Sequence, residues 1–267
     1  MMWGPGIATF GWITYGVVGV GLSWIIPLII SVWALRLSVH IALRASKRED
    51  ARYAAWRVEW MKKGERYFYI RSFFQVFFLQ GILMSIIAIP AMLAIYFGWG
   101  EQIMWWQIIG VIVWLEGFVV ESIADWQLLD FLHRKHAGLE KDQFMRRGIW
   151  AWSRHPNYFG EVAQWWGIFL IALTPNAPWT WLGVLSPIFI TYLILKVSGI
   201  PMLEAQFADN PEYQAYKQKV NAFIPWYKKL ELGKKSTEMI PEEDEIIEKQ
   251  EIFEEITIAE DEIFGQE

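Results

Sequence analysis

Apolar residues run in long blocks along this chain, and polar residues gather in the connectors between them. From Trp3 to Leu35 no charged residue occurs. At about 1.5 Å per helical residue that run is too long for one upright crossing of a core of roughly 30 Å, so it predicts two short helices or one tilted one. Phe73 to Trp99 predicts the next span, kinked at Pro90, and Ile103 to Asp125 returns after a turn at Gly100 and Glu101. Another apolar helix starts at Pro156, and Trp179 to Ile200 is the last span, with Lys196 placed to reach the membrane surface. The pattern predicts an all-α, polytopic membrane helix bundle of about five to six transmembrane helices with cytoplasmic amphipathic helices.

The connectors orient this bundle. Residues 36–71 and 126–154 are rich in Lys and Arg, whereas 98–102 and 174–178 carry none. Positive charge alternating between successive loops puts both basic connectors and the chain end in the cytoplasm. Lys47 to Arg71, with Trp56, Trp60 and Tyr67, reads as an amphipathic surface helix or a solvated charged loop, and Pro201 to Ala222 reads as a second amphipathic helix. The first block lacks a basic leader and an obvious cleavage site, so it is expected to stay as a membrane span. The expected location is a bacterial inner membrane, or the endoplasmic reticulum in a eukaryotic cell.

Composition sharpens the picture. Tryptophans such as Trp99, Trp105, Trp106, Trp126, Trp179, Trp181 and Trp226 lie near block ends, as an interfacial belt requires. With no cysteine, disulfides, thiolate catalysis and sulfur-ligated metals are excluded. Much of the negative charge lies after Ser236, so residues 1–230 read as the membrane domain and 231–267 as an acidic tail, disordered or binding a protein partner, with an amphipathic surface element as the rival reading. No nucleic-acid partner is expected. His40, His133, His136 and His155 form no clear metal spacing, and neither a dinucleotide fingerprint nor a P-loop occurs.

Residues 146–161 are the densest polar junction. Pro156 suits a first helical position and His155 an N-cap, so open backbone amides would face Arg146, Arg147 and Arg154, an arrangement suited to an anion. Basic residues flanking an apolar helix also serve as plain surface anchors, and that reading stays open for the arginines. Asn157, Glu161 and Gln164 share one helix face, and Glu121 and Asp125 share a face near the end of the preceding span. A carboxylate in a membrane helix needs a partner, a ligand or water.

The run Ser153-Arg154-His155-Pro156-Asn157-Tyr158-Phe159-Gly160-Glu161 resembles the signature of the DUF1295 membrane proteins, relatives of steroid 5-alpha-reductases. It resembles isoprenylcysteine carboxyl methyltransferases more loosely. Glu121 to Gln127, Lys196 to Glu204, and Pro211 through Trp226 resemble the same family in the same order. The amino-terminal block looks short beside that family. The resemblance implies a cytoplasm-facing NADPH pocket built from Glu121, Asp125, Arg146, Arg147, Arg154, His155, Asn157, Tyr158, Glu161, Glu204 and Tyr213, the arginines nearer the phosphates and Asn157, Tyr158 and Glu161 nearer the nicotinamide. It implies hydride transfer to a C=C bond of a lipidic substrate lying among membrane lipids. The acid and tyrosine that polarise the substrate in steroid reductases have no matching motif here, although Tyr15, Tyr69 and Glu116 are available, so the catalytic residues are unassigned. The competing readings are an S-adenosylmethionine-dependent membrane methyltransferase and a non-catalytic scaffold that presents the acidic tail.

Overall fold

The uncharged amino-terminal run breaks at glycine into two helices. In this computed structural model, which describes residues 3–19, 21–44, 51–97, 103–175 and 177–226, α1 (Trp3–Val18) and α2 (Ile25–Arg44) pack against each other. Gly19 N–H closes the first helix on Tyr15 O at 2.8 Å, and Gly21 leads into the second with φ 55°, a conformation that favours a residue without Cβ.

The charged connector is not one helix. α3 (Ala51–Met61) stops at Gly64, whose φ of 102° excludes a continuous rod, and α4 (Glu65–Ser72) starts anew. α4 runs through a π-helical stretch, Phe73–Phe78, into α5 (Leu79–Phe97), so the apolar helix is longer than its hydrophobic block. Within α5, Pro90 removes one backbone donor, and Ser186 from a neighbouring helix bonds Ile87 O at 2.6 Å beside the gap.

α6 (Trp105–His136) ends with His133, Arg134, Lys135 and His136 in its last turn, where cations complement the helix dipole. It runs antiparallel to α7 (Pro156–Ala172), and four glycines bring their backbones together. A Cβ at Gly117 would lie 2.6 Å from Gly160 O, and one at Gly167 would lie 2.6 Å from Gly110 O. Small residues at such a seam let helices approach to backbone contact, where dispersion and carbonyl packing hold them without a hydrophobic drive.

The last span contains α8 (Leu185–Tyr192) between a 3-10 stretch, Pro178–Val184, and a π-helical stretch, Leu193–Val197. The segment expected as a single helix from Pro201 to Ala222 is divided. α9 (Ile200–Glu204) and α10 (Pro211–Lys219) are separate because Asn210 caps a new start, accepting from Tyr213 N–H at 3.1 Å, with Pro211 in the first helical position.

Among the described residues four helical segments are long and apolar enough to cross a membrane: Gly21–Arg44, Glu65–Phe97, Trp105–His136 and Pro178–Phe207. α1 and α7, of 16 and 17 residues, are shorter but pack into the same bundle. The core joins α2, α5, α6 and α7 through Ile26, Ile30, Ile87, Ile95, Trp114 and Trp165. The chain divides into two units, Met1–Lys228 and Lys229–Glu267. The tail read from residues 231–267 lies outside the described residues.

Candidate functional site

Three helices bring charge together at the end of the bundle where α2 and α6 end and α7 begins. Arg36, near the end of α2, lies between two buried carboxylates of α6. Its guanidinium pairs with Glu121, and its Nη1 donates to Asp125 Oδ2 at 2.5 Å. His40, one turn further along α2, approaches Asp125 Oδ1 at 3.8 Å. From α7, Asn157 Nδ2 donates to Asp125 Oδ1 at 3.2 Å and Gln164 Nε2 donates to Glu121 Oε2 at 2.5 Å. Glu161, half-buried between Asn157 and Gln164 on α7, lies within electrostatic reach of Arg36 and Asp125. One cation thus serves a group of three acids, in surroundings where each unpaired carboxylate is unfavourable.

A second cluster closes the same end. Glu204 at the end of α9 accepts from Arg154 Nε at 2.8 Å, from Lys217 Nζ at 2.9 Å and from His155 Nε2 at 3.2 Å. A carboxylate with those partners is an acceptor only, so His155 Nε2 is the protonated nitrogen of a neutral ring. Burial holds His155 below the usual histidine range, and the bond to Glu204 opposes that shift. Tyr158 stacks on the His155 ring with centroids 5.6 Å apart. Arg154 Nη1 also donates to Lys217 O and Val220 O at 3.1 and 2.5 Å, and Ser153 Oγ donates to Phe223 O at 2.7 Å. Tyr213 is buried against Phe144 and Phe207, and burial, with Glu204 nearby, pushes its phenol up to about 12.

The predicted helix start is present, with Pro156 as the first helical residue, but the arginines before it do not turn toward the open amides. Arg154 is drawn into the bonds with Glu204. Arg146 donates to Asp142 Oδ1 at 2.6 Å, and Arg147 pairs with Glu140. Acidic residues four and seven positions earlier compete successfully for them. Arg146 and Arg147 remain about half exposed at the surface.

The structure therefore gathers Glu121, Asp125, Asn157 and Glu161 into one cluster, and Arg154, His155, Glu204 and Tyr213 into another that adjoins it where α7 begins. Arg36, which the sequence places only at the start of the first basic connector, is the centre of the first. Its signal was available: an arginine inside a membrane helix requires an acidic partner, and Glu121 and Asp125 are acids one turn apart. Tyr69 and Glu116 are exposed, and neither they nor Tyr15 bond to either cluster. Among the described residues no group of acids and histidines could hold a metal ion.

A family model described as a protein of unknown function, DUF1295, matches residues 1–220. A Schizosaccharomyces pombe relative, Uncharacterized protein C594.04c, is 27% identical over 222 residues, which cover 73% of this chain and 61% of that protein. The chain thus spans less than two thirds of that relative. No solved structure gives a significant match.

Proposed function

We propose, starting from the fact that this chain belongs to the DUF1295 family, that it is an integral membrane NADPH-dependent reductase similar to steroid 5-alpha-reductases, acting on a C=C bond of a lipidic substrate. One observation carries the reading. Arg36, Glu121 and Asp125 form a buried ionic network that meets Asn157 and Glu161 at the start of α7. Apolar packing of the same volume is often as stable as a buried ion pair, so such a network inside a membrane bundle points to a polar ligand.

The residues present suit a nicotinamide nucleotide. An amide and a carboxylate, Asn157 and Glu161, offer both donor and acceptor to the carboxamide. Arg146 and Arg147, accessible at the surface, would hold phosphates by exchanging Asp142 and Glu140 for them. Arg154 has a different task, holding the segment from α9 to residue 223 over the junction. When bound, NADPH would supply a hydride to one alkene carbon and leave as NADP+, and a proton drawn from solvent at the cytoplasmic mouth would complete the reduction at the other carbon. The surrounding apolar helices keep water from the reacting atoms. In this reading the connector end faces the cytoplasm, where the nucleotide is found.

Isothermal titration of the detergent-purified protein tests the proposal. Saturable NADPH binding is expected. Saturable binding of S-adenosylmethionine with none of NADPH would assign a methyltransferase instead, and binding of neither would favour a scaffold.

A further inference from the structure

Deeper in the bundle than the ionic network, Ile30 and Trp33 of α2, Trp114 of α6, and Gln164, Trp165 and Ile168 of α7 line a small cavity. Gln164 lies eight residues into α7, about 12 Å along the helix from Pro156. The cavity leaves about 10 Å³ for the centre of a water molecule, close to the room that one oxygen needs. Its lining residues are two isoleucines, three indoles and the Gln164 amide. Trp33 Nε1 and Gln164 Oε1 are buried and have no hydrogen-bond partner, with their residues only 6% and 1% exposed. Among the described residues the other such atoms belong to Arg36, whose Nη2 touches Glu121 without hydrogen-bond alignment.

Buried polar atoms without partners are rare, and these two, on residues that line one cavity, are complementary in kind. The indole nitrogen can only donate and the amide oxygen can only accept. An occupant that satisfies both must accept one hydrogen bond and donate another. A carbonyl would leave Gln164 unpaired, an ammonium would leave Trp33 unpaired, and an alkyl group would leave both. A hydroxyl satisfies the pair.

We propose that this cavity binds one hydroxyl group, supplied by a water molecule or by the head of a membrane-dissolved alcohol. The bound hydroxyl accepts from Trp33 Nε1–H and donates to Gln164 Oε1. It locks the Gln164 amide with its oxygen toward the cavity and its nitrogen toward Glu121, which it meets at 2.5 Å. A hydrogen-bonded chain then runs from Trp33 through the occupant and Gln164 to Glu121, which is ion-paired with Arg36. This site is independent of the nucleotide reading and survives its failure.

Nuclear magnetic resonance of the full-length protein, with its tryptophan indoles labelled with nitrogen-15 in detergent, tests the proposal. The Trp33 signal is assigned by its loss in Trp33→Phe. A cross-peak between Trp33 Nε1–H and water is expected, and it should vanish in Gln164→Met, which keeps the volume but removes the acceptor. Titration with 1-octanol separates the two sources: saturable replacement of the water cross-peak by octanol methylene cross-peaks assigns the alcohol, and an unchanged water cross-peak assigns water. A cross-peak unaffected by Gln164→Met, or contacts only to detergent chains, would overturn the site. If Trp33→Phe does not fold, the one indole signal altered in Gln164→Met provides the assignment, and no altered signal counts against the proposal.

Discussion

Arg36 and Asp125 lie 89 residues apart in the chain, yet the guanidinium Nη1 of one donates to the carboxylate of the other at 2.5 Å inside the bundle. The same guanidinium pairs with Glu121, so its removal leaves two buried acids without their cation. Arg36→Leu should destabilise the fold by about 3–5 kcal/mol, the range for breaking a buried pair from one side. Arg36→Leu combined with Glu121→Gln and Asp125→Asn should recover much of the loss. Thermal melts in detergent check this, and a triple variant no more stable than the single one would count against the ionic account.

If NADPH binds at the start of α7, Asn157→Ala and Glu161→Ala each remove a hydrogen bond in a water-poor setting, with a loss of about 1.5–3 kcal/mol for contacts to charged groups. Dissociation constants should rise about ten- to a hundredfold. Glu65→Ala, at an exposed position, should leave them unchanged. Titrations of the three variants side by side read the contrast, and equal effects would remove the local explanation.

Gly160→Ala introduces a Cβ 2.5 Å from Gly117 O, a backbone atom that cannot rotate away. α6 and α7 must separate, and a loss of about 1–3 kcal/mol is expected from overpacking. Gly6→Ala in α1, where a Cβ meets nothing within 4 Å, should instead stabilise by about 0.5–1 kcal/mol through lower chain entropy. Opposite shifts in melting temperature are the signature.

Acidification should weaken the fold through His155. Its folded-state value lies below the ordinary histidine value of about 6.5, so the unfolded chain takes up a proton first. Stability is full above that ordinary value, declines as pH falls toward the folded value, and stays reduced below it. His155→Gln should flatten the profile as pH falls below about 6.5. Melts of both proteins across that window measure the difference, and parallel curves would show that another group titrates.

Local geometry was legible in the sequence where one helix contains it. Pro156 announces a helix start, and the spacing of Asn157, Glu161 and Gln164 puts them on one face. The partners of that face were not legible, because Arg36 and Glu121 reach it only through the packing of α2, α6 and α7. Arg146 and Arg147 pair with Asp142 and Glu140, which lie closer in the chain than the start of α7 does. The seam glycines, 110 with 117 and 160 with 167, carry a seven-residue spacing that becomes meaningful only once the two helices are known to be antiparallel neighbours.

The contacts that close the connector end also impose an order on synthesis. Arg154 N–H bonds Asn221 O, its guanidinium bonds Val220 O 66 residues later, and Ser153 bonds Phe223 O 70 residues later. A ribosome adding about 5–20 residues per second needs roughly 3–13 s to make residue 220 after Arg154. α7 is complete early in that interval, and Arg154 and His155 wait for Glu204 until the chain has grown 50 residues past Arg154. The newborn protein therefore passes through a stage in which its ionic network can be complete and its closing segment does not yet exist.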